Sequence, residues 1–307
     1  MSNQWIGVIG AGLMGHGIAL TFAKAGYRVA IHDPVQAARD GVKARISESL
    51  TIMGEAPEGV SAVLDRVEVR DTLAGTVQAT STVFEAAPEK MELKQAIFAE
   101  IEAHAPSDAI LASNTSVMPI TQIMSKLQNK GRAIGTHWWN PPHLIPLVEV
   151  VRTEWTEDAV AETAMALLLE AGKTPVLVAK DVPGFIGNRL QHALWREAIS
   201  LVERGICDAA SVDTVIKNCF GRRLSVLGPL ENADLVGLDL TLDIHSQVLA
   251  DLEARQGPSP LLEEMVREGR IGMKSGRGFY DWTPEEASAV RSRVSTHLQK
   301  LETILPE

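Results

Sequence analysis

Trp5-Ile6-Gly7-Val8-Ile9-Gly10-Ala11-Gly12-Leu13-Met14-Gly15 is the stretch whose reading decides the fold. Residues 6–9 form a short apolar run of strand character. It leads directly into Gly10-x-Gly12-x-x-Gly15, and a helical pattern follows over 14–25. In a strand–turn–helix of this kind the first glycine permits the tight turn. The second lets the backbone approach a ligand, and the third lets helix and strand pack closely. Unpaired N–H groups and the helix dipole at the start of such a helix favour a phosphate. A second apolar run, 28–32, ends at Asp33, 23 residues after Gly10. A carboxylate there accepts hydrogen bonds from a ribose diol and repels a 2′-phosphate, and no arginine follows it immediately. The expectation is a dinucleotide, NAD in preference to NADP, held by Gly10, Gly12, Leu13, Met14, Gly15 and Asp33.

Further apolar runs at 82–86, 110–113, 133–136, 147–151 and 177–179 alternate with helical patterns. The helical segment 89–104, for example, has apolar residues at 93, 96, 97 and 101, a period that faces a sheet. Strands alternating with helices predict an α/β domain, a doubly wound parallel sheet of the Rossmann type. After Asp181-Val182-Pro183-Gly184 the pattern becomes helical throughout, with helices expected up to Gly205 as a C-cap and near 208–219, 234–253 and 260–268. Thr283, Pro284 and Glu286 form a capping-box signature for a tail helix, whose apolar positions 287, 290, 294, 298 and 301 make one stripe. The predicted organisation is an α/β domain over 1–182 and an all-helical domain over 183–307.

Composition narrows the function classes. The 307 residues suit two domains, and 45% hydrophobic with 22% charged residues describe an ordinary globular protein. There are 39 acidic against 29 basic side chains, a net charge of −10. Such a surface repels phosphate backbones and anionic lipid, so neither nucleic acid nor a membrane is an expected partner. Apolar stretches such as 164–169 fall far short of the roughly 20 residues that span a bilayer. No basic leader precedes the first strand, which argues against secretion. Cys207 and Cys219 stand in no metal or redox spacing, so no metal is expected and a cytoplasmic location fits best.

Four segments carry candidate chemistry. Ser113-Asn114-Thr115-Ser116 follows an apolar strand, where active-site loops of open parallel sheets lie. His137-Trp138-Trp139-Asn140-Pro141-Pro142 and Pro146-Leu147-Val148-Glu149-Val150 flank a chain reversal almost symmetrically, so His137 and Glu149 can meet across it. A histidine oriented by a carboxylate is a good general base near neutral pH. Pro183-Gly184-Phe185-Ile186-Gly187-Asn188-Arg189 stands at the domain boundary, where clefts form. Each has a plainer reading: His137 packed among tryptophans, Asn114 and Ser116 as caps, Trp138 and Trp139 as core aromatics.

These motifs, with Lys274-Ser275-Gly276-Arg277-Gly278-Phe279-Tyr280, resemble the 3-hydroxyacyl-CoA dehydrogenase family, over the chain up to about Trp282. The resemblance implies a catalytic dyad at His137 and Glu149, with Ser116 and Asn188 on the substrate oxygen. It implies cofactor contacts at Asp33, Glu89, Lys94, Ser116, Asn140 and Lys274, and a homodimer formed through the helical domain. It also implies reversible hydride transfer between a secondary alcohol carbon and NAD.

The substrate region departs from the acyl-CoA members. The serine that contacts coenzyme A corresponds to Ser49, but the lysine position falls on Ala56, between Glu55 and Glu58. Carboxylates there weaken the case for a polyanion. The loop Asn140-Pro141-Pro142-His143-Leu144-Ile145-Pro146 is more similar to members acting on free small acids, such as carnitine, gulonate and pyridine-carboxylate dehydrogenases. Ser49, Trp138 and Trp139 are accordingly expected at a substrate pocket. A true 3-hydroxyacyl-CoA dehydrogenase, and a non-catalytic crystallin-like protein, stay as alternatives.

Overall fold

The computed structural model describes residues 5–304. Along the chain the first elements are β1 (Trp5–Ile9), α1 (Leu13–Lys24), β2 (Arg28–His32), α2 (Gln36–Asp40), α3 (Val42–Ile52), α4 (Pro57–Leu64) and β3 (Val67–Val69). There follow α5 (Leu73–Val77), β4 (Thr80–Glu85), α6 (Met91–His104), β5 (Ile110–Ser113), α7 (Ile120–Met124), β6 (Ala133–Trp138), β7 (Leu147–Arg152), α8 (Asp158–Glu170) and β8 (Thr174–Val178). The eight strands form one sheet in the order β3-β2-β1-β4-β5-β6-β7-β8. Strands β1 to β6 run parallel, β7 is antiparallel to β6, and β8 is parallel to β7. The doubly wound α/β fold is as expected, with one amendment: the reversal between residues 138 and 147 turns the last two strands the other way. The three-residue edge strand β3 had no sequence expectation, because Val67-Glu68-Val69 is too short to show a period.

Strand order reverses at β1, with β2 on one side and β4 on the other. In open sheets of this kind the crevice outside the carboxyl ends of those strands is where ligands bind. Alternation along each strand sorts side chains to two faces. One face packs against α1, α3, α4 and α8, around Phe22, Phe84 and Trp138. The other packs against α5, α6 and α7, around Val83, Phe98, Leu111 and Val151.

Packing divides the chain between Arg189 and Leu190, a few residues beyond the 182/183 division suggested by the sequence. Residues 183–189 stay with the first unit because their backbone and side chains bind Glu149 and Ser116 there.

The second unit is helical: α9 (Gly187–Glu203), which begins in the first unit, then α10 (Ala209–Asn218), α11 (Pro229–Val236), α12 (Leu238–Val248), α13 (Pro260–Arg267) and α14 (Pro284–Ile304). Gly205 adopts φ +67° and closes α9 with two backbone bonds, Gly205 N–H to Val202 O and Ile206 N–H to Leu201 O. The single helix expected over 234–253 is broken at Gly237, whose φ of +99° ends α11 and lets α12 begin. At α14 the capping box forms: Glu286 N–H donates to Thr283 Oγ1 at 3.2 Å, and Thr283 N–H to Glu286 Oε2 at 2.9 Å.

Candidate active site

His137 and Glu149 stand directly opposite each other in the antiparallel pair β6–β7. Cross-strand partners project to the same face, so both reach the side lined by Val151 and Phe185. Their side chains meet at 2.7 Å, His137 Nδ1 to Glu149 Oε2, with 3% and 1% of each exposed. A carboxylate only accepts, so Nδ1 carries the proton and Nε2 keeps its lone pair.

The second oxygen of Glu149 is also occupied. Oε1 accepts the N–H groups of Ile186 (2.8 Å) and Gly187 (3.0 Å), at the entry to α9. Two consecutive left-handed residues, Gly184 (φ +76°) and Phe185 (φ +50°), turn the chain there. A phenylalanine in that region is strained. It is fixed by burial, with its ring 5.6 Å from the imidazole of His137. Burial alone pushes the Glu149 carboxyl up. The hydrogen bonds from His137, Gly187 and Ile186 outweigh it and hold the group below the usual carboxylate range, ionised beside the histidine.

The remaining expected residues sort by distance from this pair. Asn188 Nδ2 donates to the Ser116 backbone carbonyl at 2.8 Å, so these two are brought together. Ser116 is further tied through its N–H to Glu89 Oε1 (2.7 Å), and Thr115 Oγ1 donates to the same carboxylate. Asn114 Oδ1 accepts the N–H of Trp138 at 2.9 Å, linking the loop after β5 to the end of β6. Trp139 lies with its ring centroid 4.9 Å from His137 and covers Gly187, where a Cβ would come within 2.3 Å of the indole. Asn140 is exposed at the head of the hairpin loop. Lys274 belongs to the second unit, exposed in a turn closed by Gly272 and Arg277.

Two pocket expectations are corrected. Trp138 points to the opposite face from His137, as its place one residue along the strand requires. It is a core residue there, edge-on to Phe22 and Phe84. Ser49 is 7% exposed and faces His16, with Oγ 3.2 Å from Nε2. It packs inside the unit instead of standing free at a pocket.

Lys94 is also internal. Its ammonium, wholly buried, lies 2.7 Å from Glu85 Oε1 and 3.1 Å from the Ala87 carbonyl, while Glu89 Oε2 is 3.6 Å away. Glu85 in turn accepts from Ser113 Oγ (2.6 Å) and Ala87 N–H (2.7 Å). Glu85 had no sequence expectation, and Ser113 and Thr115 had none beyond their place in the loop segment 113–116. A carboxylate closing the apolar strand at Val83-Phe84-Glu85 is the signal that marks the first of them, since burying it demands a partner.

The glycine turn fits a dinucleotide. Gly10 has φ +102°, and a Cβ there would meet the Ala86 carbonyl at 2.7 Å, so only glycine serves. At Gly15 a Cβ would strike the Gly10 carbonyl, which is the close helix–strand approach. At Gly12 a Cβ would meet nothing within 4 Å, leaving open space over the turn where a pyrophosphate belongs. Leu13 is largely exposed there and Met14 is half-buried. Asp33 Oδ2 accepts the Ala11 N–H at 2.9 Å and Oδ1 the Val35 N–H at 2.9 Å, which places the carboxylate beside the turn. Among the described residues no cluster of three His, Cys, Asp or Glu side chains is arranged to hold a metal ion, and no helix is long and apolar enough to cross a membrane.

The family model for the 3-hydroxyacyl-CoA dehydrogenase NAD-binding domain matches residues 5–182, and that for the C-terminal domain matches 184–282. The chain belongs to the 3-hydroxyacyl-CoA dehydrogenase family. This 3-hydroxyacyl-CoA dehydrogenase family member is 35% identical to the 5-formyl-3-hydroxy-2-methylpyridine 4-carboxylate 5-dehydrogenase of Mesorhizobium japonicum, over 98% of this chain and 97% of that one. It is 38% identical to a probable 3-hydroxybutyryl-CoA dehydrogenase of Bacillus subtilis, over 92% and 98%. Among solved structures it matches a 5-formyl-3-hydroxy-2-methylpyridine 4-carboxylic acid 5-dehydrogenase, described as an NAD+-dependent dismutase, with a TM-score of 0.91 at 34% identity over 98% of both chains. Its fold, its NAD cofactor and its class, an NAD-dependent dehydrogenase, are those of the family.

Proposed function

We propose that this dehydrogenase transfers hydride reversibly between NAD and a small free hydroxy acid or its oxo counterpart, with His137 as general base and Glu149 as its fixed countercharge. The observation that carries the chemistry is the buried His137–Glu149 contact at 2.7 Å, in which the second carboxylate oxygen is held by two backbone N–H groups. Glu149 has no freedom to take the proton and stays charged. His137 Nε2 then removes a substrate hydroxyl proton, and Glu149 stabilises the imidazolium formed. The Ser116 hydroxyl and the second amide N–H of Asn188 donate to the substrate oxygen when charge develops on it in the reverse direction. NAD, when bound, accepts or returns the hydride. Gly10, Gly12, Leu13, Met14, Gly15 and Asp33 hold its dinucleotide, with Glu89 and Asn140 as further contacts and Lys94 supporting Glu89 from beneath.

The substrate class is supported by the region where an acyl-CoA enzyme holds its nucleotide handle. Ser49 is turned inward to His16. Glu55 pairs with Lys24 at 3.1 Å, so the cation beside it is already neutralised, and Glu58 stands exposed in the first turn of α4. A polyanion finds no free positive charge at those positions. The pyridine-carboxylate relative, which matches nearly end to end, supports the same reading. Oxidation of an alcohol, or of an aldehyde after water has added to it as the hydrate, is within reach of one base and one hydride acceptor.

A homodimer formed through the helical unit is part of this reading. The helices α10, α11 and α12 contain no buried residue, and Leu230, Leu235, Leu238 and Leu242 are between 64% and 81% exposed. Free thiols at Cys207 and Cys219 support a reducing, cytoplasmic setting.

Turnover of the wild type and of His137→Ala on a panel of hydroxy acids, aldehydes and acyl-CoA thioesters tests the proposal. The expected result is activity on free acids, a drop of roughly two to four powers of ten in the variant, and NADH affinity retained. Saturation by acetoacetyl-CoA at micromolar levels, or an active His137→Ala, would overturn it.

A further inference from the structure

Arg45 stands on α3, one helical turn before Ser49, and its guanidinium reaches the glycine turn. One nitrogen, Nη2, donates both to the Ala11 carbonyl (2.8 Å) and to the Ala38 carbonyl (2.6 Å). Another, Nη1, lies over Gly41, where a Cβ would come within 2.6 Å of it. Nε is buried without an acceptor. Among the described residues Arg45 makes no ion pair; its guanidinium is held by backbone carbonyls alone.

Ala11 is thereby gripped on both sides: its N–H by the Asp33 carboxylate, its C=O by Arg45. The next carbonyl, Gly12 O, accepts from His16 Nδ1 at 3.0 Å, and His16 is steadied in turn by Ser49 from the same α3 face. Two successive carbonyls of the turn are thus tied back toward α1 and α3. A peptide whose C=O is held behind presents the following N–H forward. No acidic side chain stands in the first turn of α1 to oppose a bound anion, and Arg45 reaches the carbonyl of Ala11 in the turn itself.

We infer that Arg45 is a positioning residue of the cofactor site: it sets the glycine turn and lends an unpaired positive charge to the dinucleotide pyrophosphate. The inference rests on the reading that NAD occupies this turn. A dianion held at this turn would interact with the guanidinium through a partly buried medium, where a single charge is worth about a tenfold change in affinity. High salt removes such an effect, because the screening length shrinks to about 3 Å at 1 M.

The test is NADH binding, followed by nicotinamide fluorescence without substrate, for the wild type, Arg45→Lys and Arg45→Gln. Glutamine loses the charge and ends two bonds short of the Ala11 carbonyl; lysine keeps the charge and loses the forked geometry. At 50 mM salt Arg45→Gln is expected to bind NADH roughly tenfold more weakly and Arg45→Lys within about threefold of wild type. At 1 M salt the glutamine variant should come within about twofold. Wild-type affinity in Arg45→Gln at low salt, or an equal loss at both salts, would overturn the inference. A wild type that binds no NADH would instead bring down the cofactor reading on which it stands.

Discussion

His143, in the loop between β6 and β7, sits with Nδ1 buried against α1 and unpaired. Its ring centroid is 6.0 Å from that of His16, and Lys173, just before β8, donates to the Pro142 and Ile145 carbonyls of the same loop. Burial, then the charges of His16 and Lys173, press its pKa down from 6.5 to about 4. Because the unfolded chain takes up this proton first, stability is whole above pH 6.5 and falls as the pH drops toward 4. His16 shifts in the same direction, chiefly by burial. Urea unfolding between pH 7.5 and 4.5 should therefore show a steeper loss in the wild type than in His143→Gln; equal slopes would refute the assignment. At this scale the sequence was legible where chemistry and pattern coincide. His137 and Glu149 were readable because an acid in an apolar strand needs a partner and a chain reversal supplied one. Arg45 and His16 were not, since a lone cation and a lone histidine on helices have no pattern that distinguishes them from surface residues.

Among elements, the junction of β4, β5 and α6 encloses a buried ion pair. Lys94 and Glu85 are both wholly buried and are satisfied by Ser113, Ala87 and one another. Removing one partner leaves a bare charge in the interior, so Lys94→Met should cost about 3–5 kcal/mol in denaturant unfolding. The double change Lys94→Met with Glu85→Leu should restore much of that, because no unpaired charge remains. The pair was hidden in the sequence for a geometric reason. Lys94 reads as one more charge on a helix until α6 is laid against the sheet and the end of β4 comes beneath it. Strand and helix positions, by contrast, were largely legible from periods of two and 3.6. The misses have local causes: β3 is too short to show alternation, and Gly237 splits a helix whose apolar pattern runs on across it. Trp138 was misplaced because the pair Trp138-Trp139 was read as one feature, while adjacent strand residues point to opposite faces.

For the molecule as a whole, the apolar side chains of α11 and α12 are the feature a lone protomer leaves open. Sedimentation or light scattering should give about twice the 33.2 kDa chain mass. Paired substitutions Leu235→Arg and Leu242→Arg should return it to a single chain with the first unit still folded. A monomeric wild type would refute the dimer. The charge balance acquires meaning at this scale too: the net −10 is general, and under the proposed function its local form at Glu55 and Glu58 weighs against a polyanionic substrate. The antiparallel hairpin has a different bearing, on inheritance. The proposed base and its carboxylate are encoded in one uninterrupted stretch from His137 to Glu149, with the hairpin loop between them. A single recombination event carries both together, and mutation inside the stretch rewrites the loop without parting them. Descendants can drift in what they recognise while passing on the same proton chemistry intact.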